Sequence, residues 1–323
     1  MKHTQLQNTI AKLNISAPTP PVGTLYTGAS MKSGNSRMKI IIYILIAIFA
    51  FGIFARSFAN QAGSEARILI QSEDKKITSS SLSKSAKIIE DRLKDFGSER
   101  AEVKVIPENG QIQVTLADNK DHESVVKLLT QQGSLSFYAT WNKESLSCFL
   151  NGDNHLFALF SAKKQNKSNE ILGCTTDAEV GTVNNYLKTL SPDQKYKFVW
   201  SQPSSNGEVC LYALRLENHK GSLLSGSDIK NATFNQDKAS GTYNLDIEFK
   251  KSAVQIWANA SRLNTNKVIA IVSDNKVIYA PLLKSAIEGG KCSVSGNLTE
   301  KEVRYFAALC NNGELPVRFN VIK

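Results

Sequence analysis

The stretch that decides the fold begins with ARILIQ at residues 66–71 and continues with SSLSKSAKIIEDRLKDF at residues 80–96. The first segment is short and apolar, which is typical of a strand. In the second segment, Leu82, Ile89 and Leu93 recur at helical spacing, and Gly97 follows as a stop signal. A strand followed directly by an amphipathic helix indicates a layered domain that contains both helices and strands.

Four further elements follow at short intervals: a strand at Glu102–Ile106, a strand at Gln111–Leu116, a helix at Asp121–Gln131 and a strand at Leu135–Thr140. Asn109-Gly110 separates the first two strands and predicts a hairpin turn, because both residues tolerate a positive φ. The resulting order, β-α-β-β-α-β, predicts a ferredoxin-like base at residues 66–141, with two helices covering one face of an antiparallel sheet.

The remainder, residues 142–313, is predicted to be an inserted α+β head subdomain. Residues 142–220 are rich in Asn, Lys and Ser and give only a weak helix at Asp177–Leu190. Beyond them the pattern predicts the following elements: strands at Ala232–Asn235, Tyr243–Phe249, Val268–Val272, Lys276–Tyr279 and Cys292–Val294, and helices at Lys251–Leu263 and Glu300–Cys310. Asp274-Asn275 predicts a tight turn between two of these strands, and Thr299 with Glu302 predicts a capping box at the start of the last helix. Residues 314–322 are predicted to return to the base as a last strand.

One segment before the base is continuously apolar. Residues 40–55 read IIIYILIAIFAFGIFA, without a single charge, and are flanked by Lys39 and Arg56. We predict a transmembrane helix at residues 39–56, preceded by a flexible cytoplasmic tail at residues 1–38 and followed by a linker at residues 57–65. The alternative is a signal peptide cleaved after Ser57-Phe58-Ala59. Both interpretations send the rest of the chain across the membrane.

The net charge of +10 is unevenly distributed along the chain. Half of it falls within the first 39 residues, which contain no Asp or Glu: Lys2, Lys12, Lys32, Arg37 and Lys39. The other half is diluted over the rest of the chain rather than clustered on one element. This distribution argues against a nucleic-acid interface.

The five cysteines all follow the apolar segment: Cys148, Cys174, Cys210, Cys292 and Cys310. None forms a CxxC pair, and an odd number leaves at least one without an intramolecular partner. Cys292 and Cys310 flank one turn-helix unit, so they either form a disulfide or remain two core thiols.

The residues that could catalyse a reaction or bind a metal are scattered along the sequence. The four histidines have no metal-ligand spacing with each other or with a cysteine, and no nucleotide-binding or hydrolase motif occurs. Asp246 and Glu248 alternate along one strand, a pattern more typical of a solvated strand face than of a catalytic pair. The sequence therefore predicts no enzyme activity, no catalytic residue, no metal and no cofactor.

Short motifs in the last hundred residues are similar to those of SecD, a subunit of the bacterial protein-export translocase. They are LSGSDI at 224–229, NKVIAIVSDNKVI at 266–278, Ala280-Pro281, IEGG at 287–290, SGNLT at 295–299 and GELPV at 313–317; IIEDRLKDFG at 88–97 also fits. The residues that carry the resemblance are Gly226, Asp274, Ala280, Pro281, Gly289, Gly290, Gly296, Asn297, Gly313 and Pro316. A fold-maintaining role for them is favoured over direct substrate contact, because glycine and proline shape turns.

The resemblance is to the first periplasmic domain of SecD, base plus head. It implies a single-pass protein of the bacterial inner membrane that assists Sec-dependent export. Its expected partners are the Sec translocon or a full-length SecD/SecF-type subunit, unfolded secretory polypeptide and the membrane. In the family, membrane helices with proton-coupling residues follow the last motif, so we expect no proton-driven activity from this chain by itself. The alternative is a scaffold module that binds another envelope protein.

Overall fold

The computed structural model describes residues 65–322, apart from residues 118–120, 151, 153, 161–167, 191–194, 205 and 218–220. The predicted tail, the predicted transmembrane helix and nearly all of the predicted linker lie outside these residues. Within the described ranges, no helix is long and apolar enough to cross a membrane.

The described helices are α1 (Ser79–Phe96), α2 (His122–Thr130), α3 (Lys143–Phe149), α4 (His155–Ala158), α5 (Asp177–Leu187), α6 (Lys251–Leu263) and α7 (Glu300–Asn312). The described strands are β1 (Ala66–Ser72), β2 (Glu102–Ile106), β3 (Gln111–Leu116), β4 (Leu135–Trp141), β5 (Ile171–Thr176), β6 (Tyr196–Trp200), β7 (Glu208–Arg215), β8 (Leu224–Ser225), β9 (Ile229–Gln236), β10 (Tyr243–Phe249), β11 (Ile269–Ser273), β12 (Lys276–Tyr279), β13 (Lys291–Leu298) and β14 (Phe319–Val321). The fold is therefore mixed α+β.

The first sheet is antiparallel and has the strand order β14-β1-β3-β2. Ile68 and Ile70 of β1 and Ile112 and Val114 of β3 are buried on one face, in the same core as the apolar stripe of α1. Each fully buried aliphatic side chain of this kind contributes about 1.5–3 kcal/mol to folding. The alternation of apolar residues that predicted these strands is thus the alternation that builds the core.

One predicted strand joins a different sheet. Leu135–Thr140 was expected to complete the first sheet, but β4 pairs instead with β11, β7 and β8. Its place beside β1 is taken by β14, from the end of the chain. The apolar pattern of β4 fixes which side chains point inward, but a pattern does not specify the partner strand.

β14 is also shorter than the last strand predicted within residues 314–322. Leu315 is fully buried, and its N–H donates to the carbonyl of Gln132 at 2.8 Å, so the chain before β14 packs against the start of β4 rather than lying in the sheet.

Two more sheets complete the architecture. The longer one has the path β12-β11-β4-β7-β5, with β6 on β7 and β8 on β4, and the shorter one has the order β13-β10-β9. Trp257 of α6 packs against both, with its ring 6.1 Å from the ring of Phe137 in β4 and 5.1 Å from that of Phe249 in β10. These aromatic contacts place α6 at the meeting point of the two sheets.

Helix α7 begins as its sequence predicts. The Thr299 hydroxyl accepts the N–H of Glu302, and the Glu302 carboxylate accepts the N–H of Thr299, which confirms the capping box. Its far end lies beside β9, where the Asn311 side chain accepts the N–H of Ala232 at 2.7 Å and donates to its carbonyl at 3.0 Å. One side chain thereby occupies both backbone groups of a residue on an edge strand.

The segment at residues 142–217 has a small core of its own. The buried residues are Leu146, Leu150, Leu156, Leu172, Val183, Tyr196, Leu211 and Ala213. The weak helix predicted at 177–190 is present as α5, whereas β5 and β7 were not predicted. Partly buried aromatic rings, among them Phe149, Phe157 and Phe160, surround this core, so they serve packing first.

The disulfide is not the one that was considered from the sequence. Cys174 of β5 and Cys210 of β7 are cross-strand neighbours and are bonded to each other, whereas Cys292 and Cys310 remain thiols. Adjacent strands bring the first pair into register, and sequence spacing alone does not reveal this. The suggested Cys292–Cys310 bridge was therefore wrong, and the core-thiol alternative holds for both residues.

Candidate functional site

Five of the ten motif residues fall into two places, which differ in kind. The first, here called the joint, is where α1, the start of β4, the turn after β11 and the end of α7 meet. The second, here called the cleft, lies between the loop after β12 and strand β13.

The joint centres on Arg92, which is fully buried in α1. Its guanidinium donates to the carbonyls of Leu128 at 3.1 Å, Gln131 at 2.8 Å, Gln132 at 2.8 Å and Gly313 at 2.5 Å. These carbonyls lie at the C-terminal ends of α2 and α7, where a cation is favoured by the helix dipole. Burial lowers the pKa of Arg92 from 12.5 to about 10, so it remains charged at neutral pH.

Asp274 ties a hairpin to the same place. It lies in the turn between β11 and β12 with a positive φ, and its carboxylate accepts the N–H groups of Gly133 at 2.9 Å and Ser134 at 2.9 Å. Gly133 must be a glycine, because a Cβ atom there would collide with the guanidinium of Arg92. Asp274 and Gly313 are therefore structural residues of the joint.

Five other motif residues are spread over turns and strands. A Cβ atom on Gly226 would lie 3.2 Å from the Cβ of Leu135, and one on Gly290, which has a positive φ, would lie 2.6 Å from Val254. Gly289 faces open space, and Pro316 follows the buried Leu315. Asn297 belongs to β13. The structure does not gather these residues into one site.

The cleft has a volume of about 570 Å³ and is mainly apolar. Its floor contains Phe137, Trp257 and Ile271, all buried. The motif residues Ala280 and Pro281 begin one wall, which continues through the loop to Ile287, and Cys292–Gly296 of β13 forms the other. The cleft thus lies between the edges of two different sheets.

The wall made by β13 presents backbone groups as well as side chains. The N–H of Phe249 in β10 donates to the carbonyl of Gly290, and the register continues with Ile247 opposite Cys292. Because bonded and non-bonded pairs alternate along an antiparallel ladder, the N–H and C=O groups of Ser293 point away from β10. Ser295 follows the Leu245–Val294 pair, where the register shifts, and its C=O is also reached from outside the ladder. In the described residues, only one hydrogen bond reaches these outward groups.

That bond comes from the opposite wall. The hydroxyl of Tyr279, the last residue of β12, donates to the Ser295 carbonyl at 3.1 Å. Gly296 permits this approach, because a Cβ atom there would collide with the tyrosine oxygen. Burial, and secondarily the charge of Glu302, raises the pKa of Tyr279, so the hydroxyl keeps its proton.

The lining of the cleft has little chemical reactivity. As described, it contains no His, Asp or Glu. Burial, and secondarily Asp246, raises the pKa of the Cys292 thiol to about 12, which keeps it protonated and poorly nucleophilic. An apolar lining with unpaired backbone groups is suited to holding an extended polypeptide.

One cluster of metal-ligand atom types occurs elsewhere. Atoms of Cys174, Glu208 and Cys210 lie within 4.8 Å of one another. The two sulfur atoms are bonded to each other in the disulfide. While oxidised, they are not thiolate ligands, and the group does not form a metal site.

Sequence reasoning missed the residues that matter most in both places. Arg92 lies three residues after Ile89 and four before Phe96, on the apolar stripe of α1. A charged residue at a buried helix position indicates that several hydrogen-bond acceptors surround its side chain. Tyr279 and Trp257 gave no comparable signal, because their roles depend on the distance between two sheets.

Comparison with known proteins finds similarity in the C-terminal part of the chain. Residues 210–317 match the family model described as the P1 head subdomain of SecDF. The protein translocase subunit SecD of Mycobacterium tuberculosis is 34% identical over 101 residues, which cover 30% of this chain and 18% of that protein. SecD of Sebaldella termitidis is 36% identical over 101 residues, which cover 31% of this chain and 25% of that protein.

A solved structure titled "Crystal structure of SecDF in Super-membrane-facing form" is similar with a TM-score of 0.49 and 20% identity, covering 81% of this chain and 30% of that one. The matched part of this chain thus spans a quarter or less of the two SecD relatives' length. The comparisons confirm the resemblance that the motifs predicted: the chain is similar to the periplasmic P1 domain of SecD, with the P1 head subdomain at residues 210–317.

Proposed function

We propose that the chain assists Sec-dependent protein export and that its cleft holds unfolded segments of exported polypeptide. The predicted helix at residues 39–56 anchors it in the inner membrane, and the described domain lies in the periplasm. Support comes from the family model over residues 210–317 and from SecD relatives that are protein translocase subunits.

The observation that carries the proposal is the composition of the cleft. Unfolded polypeptide exposes apolar side chains together with unpaired backbone N–H and C=O groups. The cleft offers a complement to both, with an apolar floor at Phe137 and Trp257 and outward backbone groups at Ser293 and Ser295. It selects by chain conformation more than by sequence, which suits a protein that meets many exported chains.

The rest of the domain supports this role. The four-stranded sheet with α1 and α2 acts as a ferredoxin-like base that carries the head, and the joint around Arg92 connects the two. The base faces the Sec translocon or a full-length SecD/SecF-type subunit in the same membrane. The chain is not an enzyme in this scheme, because holding a segment requires no reacting group.

The proposal is tested by depleting the chain in its own host and following the export of a Sec-dependent reporter. Depletion is expected to slow export, and the wild-type chain to restore it. The variant Leu283→Glu, which places a charge in the cleft wall, is expected not to restore it. Leu263→Glu is the matched control, because Leu263 lies on the outer face of α6 and is 69% exposed.

Two outcomes would contradict the proposal. Unchanged export after depletion would favour a scaffold that binds another envelope protein. If the Leu283→Glu variant is present at normal abundance and fully restores export, the chain has a role in export but the cleft does not take part in it.

A further inference from the structure

We propose that the cleft binds polypeptide by strand addition: an extended segment pairs with the free edge of β13, and the Tyr279 hydroxyl closes that edge until the segment arrives. This inference rests on the proposed function, because it specifies how the cleft holds an unfolded chain.

The free edge has the geometry that an added strand requires. The outward groups of Ser293 and Ser295 are two residues apart, or about 6.6 Å along an extended chain. The same repeat separates the outward groups of any partner strand, so one segment can bond to both residues. In the part of the chain that the structure describes, no hydrogen bond occupies the outward N–H or C=O of Ser293.

Tyr279 already occupies the remaining group. Its hydroxyl donates to the Ser295 carbonyl, which is the acceptor that an added strand needs at that position. The side chain crosses from the edge of one sheet to the edge of the other, so a segment that enters the cleft must displace it. The hydroxyl therefore competes with the client for one hydrogen bond, and its removal is expected to tighten binding about fivefold.

The floor sets the side-chain preference. Side chains of an extended segment alternate between two faces, and one face points to Phe137, Trp257 and Ile271. The cleft therefore prefers segments with an apolar residue at every second position. Proline is disfavoured at the paired positions, because it lacks the N–H that an added strand donates.

The test uses the full-length chain and a fluorescein-labelled ten-residue peptide that alternates valine with serine, with binding measured by fluorescence anisotropy. Ser293→Pro removes the outward N–H, and because this N–H does not bond to β10, proline is tolerated at such an edge position. Ser293→Ala is the matched control, because it keeps the N–H. We expect Ser293→Pro to weaken binding at least tenfold, Ser293→Ala to change it less than twofold, and Tyr279→Phe to tighten it about fivefold.

A second probe removes any dependence on the folding of the proline variant. The same peptide with N-methyl groups at alternate residues cannot donate the pairing hydrogen bonds, and it is expected to bind the wild-type chain at least tenfold more weakly. Equal binding of methylated and unmethylated peptides would overturn strand addition while leaving polypeptide capture intact. Absence of binding by the wild-type chain would overturn both strand addition and polypeptide capture.

Discussion

The joint and the cleft both contain motif residues, but they differ in how their polar groups are paired. In the joint, most buried polar groups are paired with each other: Arg92 donates to four carbonyls, and Asp274 accepts from two backbone N–H groups, although the Nε of Arg92 has no partner among the described residues. In the cleft, backbone groups of Ser293 and Ser295 are left open, with Tyr279 on only one of them. A buried polar group without a partner is costly, so the largely paired groups of the joint fix structure. Ser293 and Ser295 are exposed, so their open backbone groups are available to a ligand.

The largest effect is expected at the joint. Arg92→Ala leaves four carbonyls without their donor and opens a cavity, so we expect the free energy of unfolding to fall by about 4 kcal/mol. Urea unfolding of the full-length chain, followed by tryptophan fluorescence, measures this loss.

Lys94→Ala is the control for that experiment, because Lys94 is exposed on the same helix. It is expected to change the free energy of unfolding by less than about 0.5 kcal/mol. A loss below about 1 kcal/mol in Arg92→Ala would mean that the joint does not hold the fold.

Removal of the disulfide is expected to lower the stability of the domain without changing its affinity for peptide. Replacing both Cys174 and Cys210 with alanine removes a cross-link between residues 36 positions apart, and the free energy of unfolding is expected to fall by about 3 kcal/mol. The disulfide does not line the cleft, so peptide affinity should stay within twofold of wild type. A parallel loss of peptide affinity under folding conditions would show that the two regions are coupled.

An alkaline loss of stability is expected from the buried thiol of Cys310. Burial, and secondarily Cys292, raises its pKa from 9.0 to about 12 in the folded chain. Its stabilising contribution is therefore complete below pH 9 and is lost as the pH rises toward 12. Between pH 8 and pH 10.5 this thiol alone lowers the free energy of unfolding by about 2 kcal/mol.

Cys310→Ala lacks this group and should lose correspondingly less stability over the same interval. The comparison needs only the change with pH in each protein, so the cavity left by the substitution does not affect it. Parallel decreases in the two proteins would contradict the raised pKa.

The smallest effect is expected at Gly296. Alanine at this position displaces the Tyr279 hydroxyl from Ser295, so Gly296→Ala should tighten peptide binding about as much as Tyr279→Phe does, roughly fivefold. Anisotropy with the same labelled peptide measures it, and the double variant should gain nothing over either single one. Additive gains would mean that Gly296 acts on the cleft by another route.

Local structure was largely predictable from the sequence. Helix α1, the capping box of α7 and the exact bounds of α6 and β12 follow from apolar spacing and terminal signals. The two residues between β11 and β12, Asp274 and Asn275, form the predicted tight turn, and both have a positive φ. These features depend on neighbours in the chain, and the sequence pattern reports neighbours directly.

Long-range pairing was not predictable in the same way. The pattern of Leu135–Trp141 identifies a strand but not its partner, so β4 was assigned to the wrong sheet. Cys210 lies in β7, which was missed, and without that strand its pairing with Cys174 could not be inferred. The cleft depends on the gap between β12 and β13, which are edges of different sheets, and the sequence holds no local signal for such a gap.

The most direct test of the cleft as the receiving surface is site-specific photo-crosslinking in intact cells. A photoreactive phenylalanine analogue replaces Leu282, on the rim of the cleft and 54% exposed, or Leu263, on the outer face of α6 and 69% exposed. With an export intermediate arrested in the channel, we predict a crosslink to the exported chain from position 282 and none from position 263. Equal crosslinking from both positions, or none from position 282, would contradict polypeptide capture by the cleft.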